Sequence, residues 1–296
     1  MQNKSNRSIL TPQESLEIVE LAKSKRRLLD LGMGPIGEKI FTVFRDNNIH
    51  LLYFELDQES SNSLAAIYIN KYSSVTGIRS FYIAINSKVP LDLQIFNACH
   101  EYYHHIDEIH DSFHVTRIGD PDDKLVNAKA NRFAAEFLLP TEILVTHVRK
   151  HNRGEVSLDN WNQLMLLRFI AQIQLDYKVP YKMIVRRLRE IDAIKEDILE
   201  KLLSIDERDK ESIYFKIGIA LNKEEFIKIN NITEKVGVDA DSLGLILQNY
   251  DEGLITIDGA VKDLGIFNKN LEDFGYDVEI LDDDIDEILD LFGDEE

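Results

Sequence analysis

The sequence holds a single cysteine, Cys99, in 296 residues. One thiol cannot build an internal disulfide framework, and its solitude fits a reducing compartment. No apolar run reaches the roughly 18 residues that a membrane-spanning helix needs. The opening residues, MQNKSNRSIL, lack an apolar signal core, so a cytoplasmic location without membrane attachment is expected. Basic residues are scarce: 34 Lys and Arg stand against 53 Asp and Glu, for a net charge of −19. Direct nucleic-acid binding is therefore not expected, because phosphate contacts need clustered Lys and Arg. The acid excess is also local. From Leu271 to Glu296 there are thirteen acids and no Lys or Arg, and the remainder of the chain carries only −6.

What is present reads as a globular chain, 44% apolar, long enough for two or three domains. Thr11-Pro12 supplies the cap and first position of a helix, and Gly32 and Gly34 close that region. A second short helix covers Ile36 to Phe44. Three β-branched and aromatic runs follow, Ile49 to Phe54, Leu64 to Asn70 and Phe81 to Ile85, separated by turn residues. Pro90 precedes a helix over Leu91 to His105. Asp120-Pro121-Asp122-Asp123 begins another, which Pro140 stops. From Leu158 onward the pattern is helical, with Asp206 to Glu211 as a charged linker. The expected fold is α+β: a small twisted sheet packed on helices, followed by an all-helical C-terminal half. The expected domains are 1–150, a helical extension at 151–205, and a helical C-terminal domain at 206–296 with its acidic tail.

The chemistry concentrates at His100-Glu101-Tyr102-Tyr103-His104, an H-E-x-x-H pattern. On a helix, positions four apart lie about 40° from each other, so both imidazoles reach one point. Two such nitrogens suit a zinc ion (Zn2+). Glu101 is placed to act as the general base on water that the metal acidifies. His105 lies round the helix from His104, while His110 and His114 fall past its expected end and read as surface residues. Cys99 reads as packing rather than as a ligand.

The segment Ala130-Asn131-Arg132-Phe133-Ala134-Ala135-Glu136-Phe137-Leu138-Leu139-Pro140 resembles the A-N-x-F-A-A-x-L-L-x-P signature of the ImmA/IrrE family of zinc metallopeptidases. Its place about 25 residues after the histidine motif is typical of that family, as is the strand ending in Ile85-Asn86-Ser87. The resemblance covers roughly residues 10–195. It implies an intracellular zinc endopeptidase whose substrate is a protein, a helix-turn-helix repressor in typical members, with a role in mobile-element regulation. It also implies a third metal ligand, a Glu four residues before the signature asparagine. Here that position is Asn127. Three readings follow: Asn127 ligates through its amide oxygen, Asp123 one turn earlier substitutes, or the chain is a catalytically degenerate regulator that binds a protein partner. A phage-defence or toxin–antitoxin component is a further alternative. Glu136 sits on the opposite helix face from position 127 and is not expected at the metal.

Other features bear on partners. Tyr102 and Tyr103 could narrow a cleft, with core packing expected for one of them. Arg186-Arg187-Leu188-Arg189 reads as a solvated basic face. Gly253 to Asp258 reads as the turn of a helix-turn-helix-like pair. In the tail, Ile285, Ile288, Leu289 and Phe292 make an apolar stripe at helical spacing, suited to docking on a basic partner or to packing on its own domain.

Overall fold

A computed structural model of the chain describes residues 10–56, 64–72, 79–107, 112–117, 125–233, 235, 237–238, 240–265, 267 and 269–276. It divides into two compact units, Met1–Lys235 and Val236–Glu296. The expected helix start at Asp120-Pro121, with Asp123, and the apolar stripe of the tail lie outside the described residues.

Helix α1 (Pro12–Leu28) begins where its own sequence caps it. The Glu14 amide donates to the Thr11 hydroxyl, and the Thr11 amide donates to the Glu14 carboxylate. Near its end Arg26 is buried. Its guanidinium donates to the carbonyls of Gly32, Gly34 and Phe137, tying the glycine turn to the signature segment. Helix α2 is Lys39–Asp46.

The β-branched and aromatic runs become strands β1 (Ile49–Phe54), β2 (Leu64–Tyr72) and β3 (Arg79–Asn86). A fourth strand, β4 (Ser112–Arg117), joins them in the order β4-β2-β3-β1. β1 runs parallel to β3, and β2 is antiparallel to both β3 and β4. Helix α3 (Leu91–Asp107) covers the sheet, helix α4 (Leu125–Leu138) lies on α3, and α1 lies on α4. Sandwiched in this way, α3 is buried along most of its length, and Asp92, Gln94, His100, Glu101 and His104 are buried together with its apolar side chains. Tyr102 packs against Phe44, Phe133 and Phe137, and Tyr103 against Phe133, so both tyrosines belong to the core.

Helices α5 (Thr141–His151), α6 (Gln163–Tyr177), α7 (Tyr181–Glu190), α8 (Glu196–Leu203) and α9 (Ile213–Asn230) extend the same hydrophobic core. Two buried polar clusters bind them to α4 and α3. In the first, Arg187 of the basic run is buried and pairs with Glu136 at 2.7 Å. Glu136 also accepts from Thr141 and Arg132, which satisfies a carboxylate that burial would otherwise penalise. In the second, Asp92 in the first turn of α3 meets Arg208 at 2.8 Å and Gln174 at 3.0 Å. Arg208 also donates to Asn230, and the Tyr214 hydroxyl to Gln174. Arg208 belongs to the charged stretch between α8 and α9. Among the described residues no helix is long and apolar enough to cross a membrane.

Helix α9 is broken at Asn222, whose side chain caps the second half by accepting from the Glu225 amide. The break lets Phe226 pack directly on Gly218. A Cβ at Gly218 would sit 2.2 Å from the Phe226 ring, and that ring is fully buried. Gly218→Ala should therefore overpack the site and lower stability by about 1–3 kcal/mol, despite the better helix propensity of alanine. Urea denaturation of the two proteins measures it; an unchanged midpoint would show that the ring swings aside freely.

The second unit pairs helices α10 (Ala240–Asp251) and α11 (Ile257–Gly265) across the expected turn. Gly253 takes φ +69°, a left-handed helix-ending conformation that only glycine adopts cheaply. The Thr256 hydroxyl then caps α11 by accepting from the Gly259 amide. Ala260, Leu264 and Leu271 form its small core.

Candidate metal centre

Burial of α3 between the sheet and α4 fixes the face on which residues 100 and 104 emerge. The Nε2 atoms of His100 and His104 are 3.3 Å apart, and both rings are buried. Two nitrogen lone pairs cannot face each other at that distance with nothing positive between them. A proton on one ring can fill that place, and so can a cation. In a tetrahedral zinc site with bonds of about 2.0–2.1 Å, two ligand nitrogens stand about 3.3–3.4 Å apart. The spacing therefore fits the ion. Burial, together with His100 and His114, holds His104 down to about 3, so it is neutral and has a lone pair for a metal near neutral pH.

Helix α4 supplies the partner on the far side of His100. The Nδ1 of His100 is 2.8 Å from Oδ1 of Asn131. Asn127 is half-buried one turn earlier on the same face of α4, the side that meets α3. Asp123 lies outside the described residues. Among the described residues no group of three His, Cys, Asp or Glu side chains is arranged around one point. The pair His100 and His104 thus has the geometry of metal ligands, with an amide position beside it.

Glu101 is fully buried, and neither carboxylate oxygen has a hydrogen-bond partner among the described residues. Burial pushes its carboxyl up to about 8, and the nearby Thr116 hydroxyl offsets part of that rise without completing a bond. An orphaned buried carboxyl group next to two converging imidazoles is costly structurally, and a titratable group perturbed in this way marks a candidate for proton transfer.

Strand β4 brings residues that local pattern did not place here. His114 is half-buried, and its ring lies flat on His104 with centroids 4.0 Å apart, so it is no distant surface residue. Parallel rings direct their lone pairs side by side rather than to a common point, which sets His114 beside the pair as a wall. His105 packs on Phe81 and Tyr102 and meets the Tyr68 hydroxyl at 3.3 Å. Cys99 is buried, and burial raises its thiol well above the usual range, as suits a packing residue. Glu136 is held by Arg187 and Arg132, away from any metal role.

A family model matches residues 47–189: Peptidase_M78, the IrrE N-terminal-like domain. Residues 47–189 belong to this peptidase family. No curated protein and no solved structure gives a significant match to the chain. The IrrE N-terminal-like domain runs from just before β1 to the end of α7. It contains His100, Glu101, His104, Asn127 and Asn131. Arg208, Tyr214 and Asn230, which close the cluster around Asp92, lie beyond it.

Proposed function

We propose that this chain is a cytoplasmic zinc-dependent endopeptidase that cleaves a protein partner. The observation that carries the reading is the 3.3 Å approach of two buried imidazole nitrogens beside a buried, unpartnered glutamate. His100 and His104 would hold the ion, with Asn127 or Asp123 completing the site. A bound zinc ion supplies Lewis acidity, polarising a carbonyl and making water more acidic. Glu101 takes a proton from the attacking water as its oxygen adds to the peptide carbonyl carbon. Glu101 then returns that proton to the amide nitrogen as the C–N bond breaks, and the second water proton passes from the new carboxyl group to the amine, giving a carboxylate and an ammonium group. The neighbouring rings of buried Tyr103 and half-buried His114 limit the access of bulk water to that proton. A helix-turn-helix repressor is the partner class that the ImmA/IrrE resemblance favours.

Asn127 supports a second reading, a regulator that keeps the fold and holds its partner without cutting. A neutral amide in place of a carboxylate leaves the site less anionic and its metal less tightly held. One experiment separates the readings: zinc stoichiometry and cleavage of a co-encoded repressor, measured on wild type, His104→Ala, Glu101→Gln and Asn127→Glu. The peptidase reading expects about one zinc per wild-type chain, loss of zinc in His104→Ala, and tighter zinc in Asn127→Glu. It also expects retained zinc with cleavage slowed by about 10²–10⁴-fold in Glu101→Gln. Equal zinc in wild type and His104→Ala would overturn it. Zinc bound as expected, with the repressor captured but never cut, would select the regulator.

A further inference from the structure

Sharing a helix face brings His100 and His104 together, but it sets neither the plane of each ring nor which nitrogen bears the proton. A neutral imidazole has one N–H and one lone pair. Coordination through Nε2 of His100 requires the proton on Nδ1. The bond at 2.8 Å from that nitrogen to Asn131 Oδ1 supplies the requirement, since an amide oxygen can only accept. With the amide turned over, its N–H would donate to Nδ1, drive the proton to Nε2 and block the metal-binding nitrogen. The two faces of one amide therefore correspond to two states of the histidine. Phe133, two residues on along α4, packs against Tyr102 and Tyr103 of α3, so this part of α4 is anchored against α3.

We propose that Asn131 is the positioning residue of the site, holding His100 as the Nδ1–H tautomer with its Nε2 lone pair aimed at the ion. The role rests on the zinc reading for its purpose, but the tautomer exists without metal and can be tested without it. Histidine 15N shifts of the metal-free protein report the tautomer, and competition with a chelator reports zinc affinity. In wild type the His100 signal is that of Nδ1–H. Asn131→Ala, a substitution that a helix tolerates well, moves it toward Nε2–H and weakens zinc by about 10–100-fold. Asn131→Asp, which can only accept when ionised, restores the Nδ1–H signal and gives zinc affinity at or above wild type. A purely structural role would change the thermal midpoint of Asn131→Ala and leave tautomer and affinity alone. Unchanged His100 tautomer and zinc affinity within twofold in Asn131→Ala overturn the proposal. A tautomer that responds as described in a wild type that binds no zinc overturns the zinc reading and leaves the orienting role standing.

Discussion

Arg208→Leu should destabilise the protein by about 3 kcal/mol at neutral pH, because it strands the buried Asp92 carboxylate. Asp92 is fully buried, whereas the Arg208 side chain is a quarter exposed. The two halves of the pair are therefore unequal. Asp92→Asn leaves a guanidinium that water can reach, and its cost should be small. Burial already raises the Asp92 carboxyl above its usual range, outweighing the pull of Arg208. Without Arg208 the rise grows, so Arg208→Leu should be milder in acid, where Asp92 is protonated in folded and unfolded chains alike. Combining the two changes should recover most of the loss. Urea denaturation of the four proteins at pH 3 and pH 7.5 measures this. Equal, pH-independent losses in both single variants would show that the pair acts through shape and not charge. The same pair bears on where the family-matched unit ends structurally, since Arg208 and Asn230 lie past the match yet complete the cluster at the first turn of α3.

Glu101→Gln is expected to stabilise the metal-free protein increasingly as pH rises. Glu101 is raised from 4.5 to about 8, so the folded chain holds a proton that the unfolded chain releases between those values. Stability then falls with rising pH across that window and levels off above it. The full span corresponds to at most about 4–5 kcal/mol. Gln has no such proton, so its advantage should be absent below pH 4.5 and largest above pH 8. His104 and His105 act in the opposite direction. Burial lowers them to about 3 and about 4, so their contribution is complete above 6.5 and is lost as pH falls through those values. Wild type should therefore show a narrow stability maximum near pH 6, and Glu101→Gln a plateau extending to higher pH. Thermal melts in chelator from pH 4 to 9 test it. Parallel curves for the two proteins would mean that Glu101 is solvated in the metal-free state.

The parts of this structure that could be read from the sequence are those with a local signature. The strands at Ile49–Phe54, Leu64–Tyr72 and Arg79–Asn86 are short β-branched and aromatic runs set apart by turn residues, and α3 announces itself through its proline and its two histidines four apart. The meeting of His100 with His104 follows from helical geometry alone. Strand β4 was not legible. Its six residues, Ser-Phe-His-Val-Thr-Arg, gain strand character from pairing with β2, which is distant in sequence. That pairing is what delivers His114 to His104. Charge misled where burial was long-range. Arg187 sits in a run that reads as solvated, yet it is buried because Glu136, fifty-one residues earlier, awaits it. Asp206 to Glu211 reads as a loose connection for the same reason, and only its contact with Asp92 shows otherwise. The orienting bond from Asn131 to His100 needed the packing of α4 on α3, which no single segment encodes.

The polypeptide leaves α9 through a short strap laid across the beginning of α3. The Leu91 amide donates to the Asn231 carbonyl, the Thr233 amide to the Ser87 carbonyl, and Thr233 and Gln94 join through their side chains. The second unit starts at residue 236, three residues after Thr233. A mechanical load applied to that unit, as when a bound protein is dragged or remodelled, is thus transmitted to the first turn of the helix that bears both histidines. Within the first unit, the few hydrogen bonds of the strap are what such a load meets first.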